Sequence, residues 1–333
     1  MKITIKDIAS LSGVSTTTVS KILNNKDKDI SKETRKKVLK IIKEKNYVPS
    51  TVARSMVTRK TKTIGLVIPD ITNPFFPELA RGAEDKANEA GYNIMFCNTD
   101  DDLDKEEKYI NMLVEKMADG IIFTQSDKRT EGFKNTSLNS IPIILIDRDM
   151  DYEGIKGKVL VNNFDGSYKG VSYLLKKDYK KIAFISGPLT LNTGLERLKG
   201  YKKALKDFSV EYDDNLVIIG EYKREWGFEA IDILMNKNLD FDAVFCGNDL
   251  IAISVIKKLK ELGKSIPEDV AVLGFDDIYM ADLIEPELTT IRQPNYKMGY
   301  KAAELLINVL ENPNKKMNEK IILDTELIIR KST

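Results

Sequence analysis

From Thr63 onward, apolar runs of about five residues alternate with amphipathic stretches of roughly 12 to 18. Continuous apolar runs suit strands covered on both faces, and the longer stretches suit the helices that cover them, so the pattern predicts a parallel βα fold. The strand candidates are TIGLVIP, YNIMFCN, DGIIFT and PIILID, then KIAFIS, LVIIG, DAVFCG and VAVLGFD. Four units precede a break near KGKVLVNNFDGS and four follow it, which predicts two doubly wound parallel-sheet lobes of similar size. Ligands of such folds bind at the carboxyl ends of strands, which here would face each other across a cleft. No GxGxxG follows a strand and no P-loop occurs, so nothing signals a nucleotide cofactor.

The first 45 residues carry the helical period instead. Thr4 stands three residues before Asp7, the spacing of a capping box, and that helix stops at Gly13. A second helix begins with Ser15 as its cap and ends near Asn24 and Asn25; a third begins at Ser31. Val38, Ile41 and Ile42 share one face and would close a small core with Ile5, Ile8, Val19 and Ile22. Residues 46–63, NYVPSTVARSMVTRKTKT, carry Pro49 before an eight-residue helical pattern from Ser50 to Val57. A helix that short is marginal alone in water, so the segment reads as a linker that folds only against a partner.

Charge separates the same regions. Residues 1–60 hold 15 Lys or Arg against five acids, whereas the remainder holds 37 against 46. A basic head on an acidic body is expected when the head meets a polyanion and the body does not. No apolar run approaches a membrane span and MKITIKDIAS lacks the apolar region of a signal peptide, so a cytoplasmic protein without a membrane partner is expected. Cys97 and Cys246 sit far apart in apolar runs, as buried core thiols do. The absence of histidine removes the Ser-His-Asp triad and every His-containing metal site, and neither a metal nor a cofactor is expected.

The second helix opens with a serine and three threonines, STTTV, which forfeits intrinsic helix stability. Two short helices joined through Gly13, with Ala9 small enough for close packing, form a helix-turn-helix pattern. The first residues of the second helix in that motif meet base edges in the major groove. Thr16, Thr17 and Ser20 supply hydroxyls and methyls for that purpose, and Lys21 reaches a guanine or a phosphate. Thr18 and Val19 face inward or sideways as packing.

At this point TIKDIASLSGVSTTTVSKILNN and SKETRKKVLKIIKEKNYVPSTVARSM resemble the head and hinge of the lac-repressor (LacI/GalR) family of bacterial regulators. The resemblance continues through TIGLVIPDITNPFFPELARGAE, DGIIF, IPIILIDRD, FCGNDLIAI, VLGFDD and LTTIRQP, and so covers essentially the whole chain. It implies a small all-α helix-turn-helix head at 1–46, a hinge helix and linker at 47–61, and an α/β core of the periplasmic-binding-protein type at 62–333. Lobe one would take about 62–161 and 293–320, and lobe two about 162–292 and 321–333. The implied DNA contacts are Thr4, Ser15, Thr16, Thr17, Ser20, Lys21, Asn24 and Ser31 in the head. In the hinge they are Ala53, small enough for close approach, and Met56, placed where the family usually wedges a leucine into the minor groove.

For the cleft, the residues themselves leave alternatives open: Asp147 and Asp276 suit capping or ion pairing as well as ligand contact, and Phe75 and Phe76 suit a core. Matched to the family, they join Asn73, Arg148, Arg197, Asn248 and Gln293 in a ribose-binding constellation, with Tyr222 and Trp226 as candidates for a second aromatic wall. A purine-responsive relative would carry arginine at Leu191. The expected effector is a free monosaccharide, ribose first, then other pentoses or a sugar acid. The expected protein is a homodimeric repressor on a palindromic operator; the sequence ends at Thr333 without a heptad segment for tetramers. Two alternatives stand beside it: a carbon-catabolite-type regulator acting with a phosphorylated carrier protein, and a sugar-metabolising enzyme, which would leave the basic head unexplained.

Overall fold

A computed structural model describes residues 3–49, 60–127, 129, 141–150, 152, 154–314 and 318–333. The chain divides into two compact units between Thr61 and Lys62. In the first unit, helix α1 (Ile5–Ser12) starts with a reciprocal capping box: the Asp7 amide donates to the Thr4 hydroxyl, and the Thr4 amide donates to the Asp7 carboxylate at 2.8 Å. These bonds hold the Asp7 carboxyl below the usual carboxylate range. α1 stops because Gly13 takes a left-handed φ of 69°, which lets the Val14 amide return to Ala9 O. Ser15 caps α2 (Thr16–Leu23) and Ser31 caps α3 (Lys32–Glu44), each accepting the amide three residues on at 3.1 Å. Ile8, Ala9, Val19, Ile22 and Val38 form the buried centre, with Ile5, Ile41 and Ile42 packed against it.

The second unit contains two six-stranded sheets. β1 (Thr63–Ile68), β2 (Asn93–Asn98), β3 (Gly120–Phe123), β4 (Ile143–Ile146), β5 (Ile155–Val161) and β11 (Glu319–Leu323) build the first, in the order β11-β5-β4-β3-β1-β2 and all parallel. β6 (Ile182–Ser186), β7 (Val217–Ile219), β8 (Ala243–Cys246), β9 (Ala271–Asp276), β10 (Thr289–Arg292) and β12 (Glu326–Ile328) build the second. There β12 runs antiparallel to β10 at one edge. β3, β4, β6 and β8 are buried throughout, as continuous apolar runs covered on both faces require.

Two sequence expectations need correction. The break near residues 156–167 contains β5, whose alternation of buried and half-buried positions hides it from a search for continuous apolar runs. The chain also returns to the second lobe after Leu323 rather than after residue 320. β11 pairs with β5 from Glu319 opposite Gly157 to Leu323 opposite Val161, so residues 321–323 belong to lobe one. The chain therefore passes between lobes after β5, β10 and β11.

In lobe one, α4 (Phe75–Glu89) lies against α10 (Asn295–Glu311) at backbone distance. A Cβ on Gly299 would sit 1.8 Å from Leu79 O, and one on Gly82 would sit 2.0 Å from Tyr296 O. Only glycine permits that approach, which joins a helix from before the first crossing to one from after the second. Ile278 from lobe two is buried in the lobe-one cluster around Phe75 and Phe76, with Leu250, Ile253 and Met280 packed against it. Apolar surface thus spans the two lobes beside the cleft. Cys97 and Cys246 are buried free thiols; burial pushes Cys97 up to about 11. Among the described residues no helix is long and apolar enough to cross a membrane.

Candidate functional site

At the start of α2 the head presents a short polar surface. Thr16 and Thr17 are exposed, and no hydrogen bond to their side chains occurs among the described residues, whereas Val19 and Ile22 point into the core. The neighbouring polar groups are committed to the fold: Thr4 to its capping box, Ser15 to Thr18, and Ser31 to Thr34. Asn24 caps the end of α2 by donating to Ser20 O at 2.8 Å. Lys21 pairs with Asp29 at 2.5 Å, but both side chains are well exposed, so a phosphate could take the ammonium at little cost. Ala53 and Met56 lie outside the described residues.

The cleft between the lobes gathers ten of the eleven sequence-derived residues into one pocket. Asn73, Phe75, Phe76, Asp147 and Arg148 come from lobe one; Arg197, Tyr222, Asn248, Asp276 and Gln293 stand opposite or at the crossing. Phe75 and Phe76 meet edge to face, with ring centroids 4.9 Å apart. Trp226 does not join them. Its ring packs over Gly220 and the lobe-two core, and its Nε1 donates to Ser186 O at 3.1 Å. Tyr222 forms the second wall alone, in the space left by Gly187, where a Cβ would lie 2.5 Å from the ring.

Local structure fixes how each polar group faces the pocket. Asn73 Oδ1 accepts the Phe75 amide at 3.1 Å and Asn248 Oδ1 caps α9 (Asp249–Glu261) through the Ile251 amide at 2.9 Å, so what each side chain can offer a ligand is its NH2 donor. Gln293 is the reverse: its Nε2 donates to Asp276 Oδ1 at 2.7 Å, while its buried Oε1 has no partner among the described residues. The Tyr222 hydroxyl is equally unmatched. Arg197 is held firmly, with Nε on Asn163 Oδ1 at 2.8 Å, Nη1 on Gly247 O and its guanidinium 3.7 Å from the Phe275 ring centroid. Arg148 donates at 2.8 Å to Asp101 Oδ1 and to Gln125 O; its distance to Asp147 is 3.9 Å.

Asp147 follows the end of β4 and Asp276 is the last residue of β9, both at positive φ, 68° and 126°. Burial raises both carboxyls, against the pull of Arg148 and Arg197 on Asp147 and of Arg197 on Asp276; Asp276 is pushed up to about 7. Behind Asp276, the buried Asp249 accepts Thr290 Oγ1 at 2.6 Å and the Ile278 amide at 2.9 Å, and burial raises its carboxyl as well.

Four lining residues escaped the sequence reading: Asp70, Asp101, Thr193 and Lys223. Asp70 and Asp101 come just after β1 and β2, so the rule that ligands bind at strand carboxyl ends could have found them. The pocket offers about 40 Å³ to the centres of water molecules. Extended by a water radius, a compact space of that size holds roughly 180 Å³ of molecule, enough for one sugar ring.

Residues 61–331 match the family described as periplasmic binding proteins and sugar binding domain of LacI family, and residues 4–50 match bacterial regulatory proteins, lacI family. The chain is 39% identical to the HTH-type transcriptional regulator RegA of Clostridium saccharobutylicum, over all of both proteins. It is 37% identical to the HTH-type transcriptional repressor PurR of Vibrio atlanticus, over 99% of this chain and 98% of that one. A solved LacI family transcriptional regulator from Enterococcus faecium with bound ribose superposes with a TM-score of 0.72 and 30% identity, over 81% of this chain and 98% of the other.

Proposed function

The chain belongs to the lacI family of bacterial regulatory proteins, a DNA-binding regulator with the family's sugar-binding domain, and from that premise we propose a homodimeric repressor released from a palindromic operator by a free monosaccharide, ribose first. The observation that carries the effector reading is the complementarity of the cleft. Asn73, Asn248, Arg148 and Arg197 offer donors, while Asp147, Asp276 and Gln293 Oε1 offer acceptors. Sugar hydroxyls donate and accept, so one ring can satisfy both sets, and Phe75, Phe76 and Tyr222 supply apolar surface for its C–H faces.

Charge narrows the class. Asp70, Asp101, Asp147 and Asp276 face Arg148, Arg197 and Lys223, a balance that favours a neutral ligand over a sugar acid or phosphate. The ribose complex of the Enterococcus faecium protein supports a pentose. In this reading Asp147 and Asp276 accept hydroxyls and catalyse nothing, and the protein works in the cytoplasm, where its operator is. Two heads are needed because one three-helix unit reads too few base pairs, and paired half-sites follow from two-fold symmetry. The sugar shifts the protein off DNA only to the extent that it binds one arrangement of the lobes better than the other.

The test is a thermal-unfolding panel of ribose, other pentoses, hexoses, sugar acids, sugar phosphates and purines. A selective ligand at 100 times its Kd should add about 2.7 kcal/mol. A saturable shift with a neutral pentose supports the reading. A panel without any shift overturns it and moves the signal to a phosphorylated carrier protein.

A further inference from the structure

We infer that the core holds a second small-molecule site on the flank of the cleft, suited to a neutral two-ring carbohydrate and linked to the central pocket through Asn163. The flank cavity measures about 510 Å³ at water-molecule centres, against about 40 Å³ for the central pocket, so it exceeds the needs of one ring. Met150, Lys320 and Ile322 line it from lobe one, and Phe164 and Asn192 from lobe two. The passages between lobes after β5 and β11 run beside it, so a ligand seated there touches both bodies.

Its chemistry points to an uncharged, amphipathic guest. Ile322 is 55% exposed although it lies in a strand, and with Met150 and Phe164 it forms an apolar floor for the C–H face of a sugar. The charges in the wall are already matched. The Asp149 carboxylate holds Lys158 at 2.5 Å and Lys320 at 3.2 Å, and Glu196 holds Lys199 at 2.7 Å. A phosphate would meet those two carboxylates, and a cation would compete with three lysines. Carboxamides serve hydroxyls: Asn192 is exposed at the rim, and Asn163, 5% exposed, lines the cavity with an Nδ2 whose one hydrogen bond among the described residues is a long one to Val161 O, at 3.5 Å.

Asn163 is also the link. Its Oδ1 accepts Arg197 Nε at 2.8 Å, so one amide bounds the flank cavity and positions the arginine of the central pocket. The first turns of helix α7 (Asn192–Asp207) do the same: Asn192 and Glu196 face the flank, while Thr193 and Arg197 face the centre. A guest on the flank therefore alters the ground on which Arg197 rests.

Isothermal titration of the full-length protein with maltose, cellobiose, sucrose and trehalose, each with and without saturating ribose, tests the assignment. The expected result is one-to-one binding of at least one disaccharide that ribose does not displace and that Ile322→Trp weakens at least tenfold. Asn192→Lys, at the opposite rim, should weaken it too, with the melting temperature of both variants reporting their folding. Both should leave ribose binding within twofold, and Asn163→Ala should abolish any effect of the disaccharide on ribose affinity. No disaccharide binding at millimolar concentration, displacement by ribose, or binding indifferent to both rim variants overturns the inference. Should ribose itself fail to bind, the central reading falls, while the disaccharide titrations of native and variant protein still decide the flank site.

Discussion

Moving the pH from 8 to 6 should weaken sugar binding about tenfold, and the reason lies at Asp276. This carboxyl is buried between the lobes; desolvation pushes it up to about 7, with Asp147 adding to the rise and Arg197 and Gln293 opposing it. Only the ionised form accepts two sugar hydroxyls beside the bond already donated by Gln293. At pH 6 about one molecule in eleven is ionised, and the apparent Kd rises by the inverse of that fraction; at pH 8 the loss is about a tenth. Sugar binding at pH 6 should therefore release close to one proton.

The same group makes a prediction of opposite sign for the sugar-free protein. A carboxyl whose folded pKa lies above its unfolded value binds its proton more tightly when folded, so its contribution to stability declines as pH climbs from about 4 to about 7, by at most about 1.4 kcal/mol per unit. Calorimetric titration with ribose in phosphate and Tris buffers across pH 6 to 8 gives the affinity and the protons exchanged. Asp276→Asn should flatten both. Affinity independent of pH, or proton uptake on binding, would show that Asp276 does not accept the sugar as a carboxylate.

Four substitutions test the head. Thr16→Ala and Thr17→Ala, at exposed hydroxyls outside the caps, should each cost about 1–3 kcal/mol of operator affinity in a gel-shift or anisotropy assay, with helix content by circular dichroism unchanged. Ile8→Ala opens a cavity in a core of five buried side chains and should cost about 2–5 kcal/mol, comparable to the entire stability of so small a unit. Operator binding should vanish while sugar binding, measured calorimetrically, survives. Gly13→Val forces a branched residue to φ 69°, which should cost about 1–2 kcal/mol, read as a lower melting temperature of the head in differential scanning calorimetry.

Much of this architecture was legible because local rules and tertiary packing agree. Thr4, Ser15 and Ser31 announce three helix starts, Gly13 announces a stop, and each does so in the structure through the expected bonds. Strands buried on both faces announce themselves as apolar runs. β5 and β11 do not: β11 lies at the sheet edge and alternates exposed with half-buried positions, while in β5, inside the sheet, half-buried Lys156 and Lys158 interrupt the apolar run; with them went the position of the last crossing between lobes. In the pocket, Asp147 and Arg148 after β4 and Asp276 at the end of β9 were readable, Asp70 after β1 was passed over, and Trp226 misled. An aromatic residue near a strand end lines a cleft or covers a core according to which side of its helix it occupies, and Gly220 draws Trp226 to the core. Asp101 went unread because its role depends on Arg148, 47 residues away, turning toward it rather than toward the adjacent Asp147.

Sugar binding in the cleft and operator binding by the head are two properties of one proposed regulator. The most direct measurement is fluorescence anisotropy of a labelled operator fragment, selected on the full-length protein, titrated with ribose at pH 8 and fixed protein concentration. The expected result is saturable release of the DNA at a ribose concentration that matches the Kd from direct titration, and no release from an Arg197→Ala variant that still binds operator. Operator binding unmoved by ribose that demonstrably occupies the cleft would contradict it.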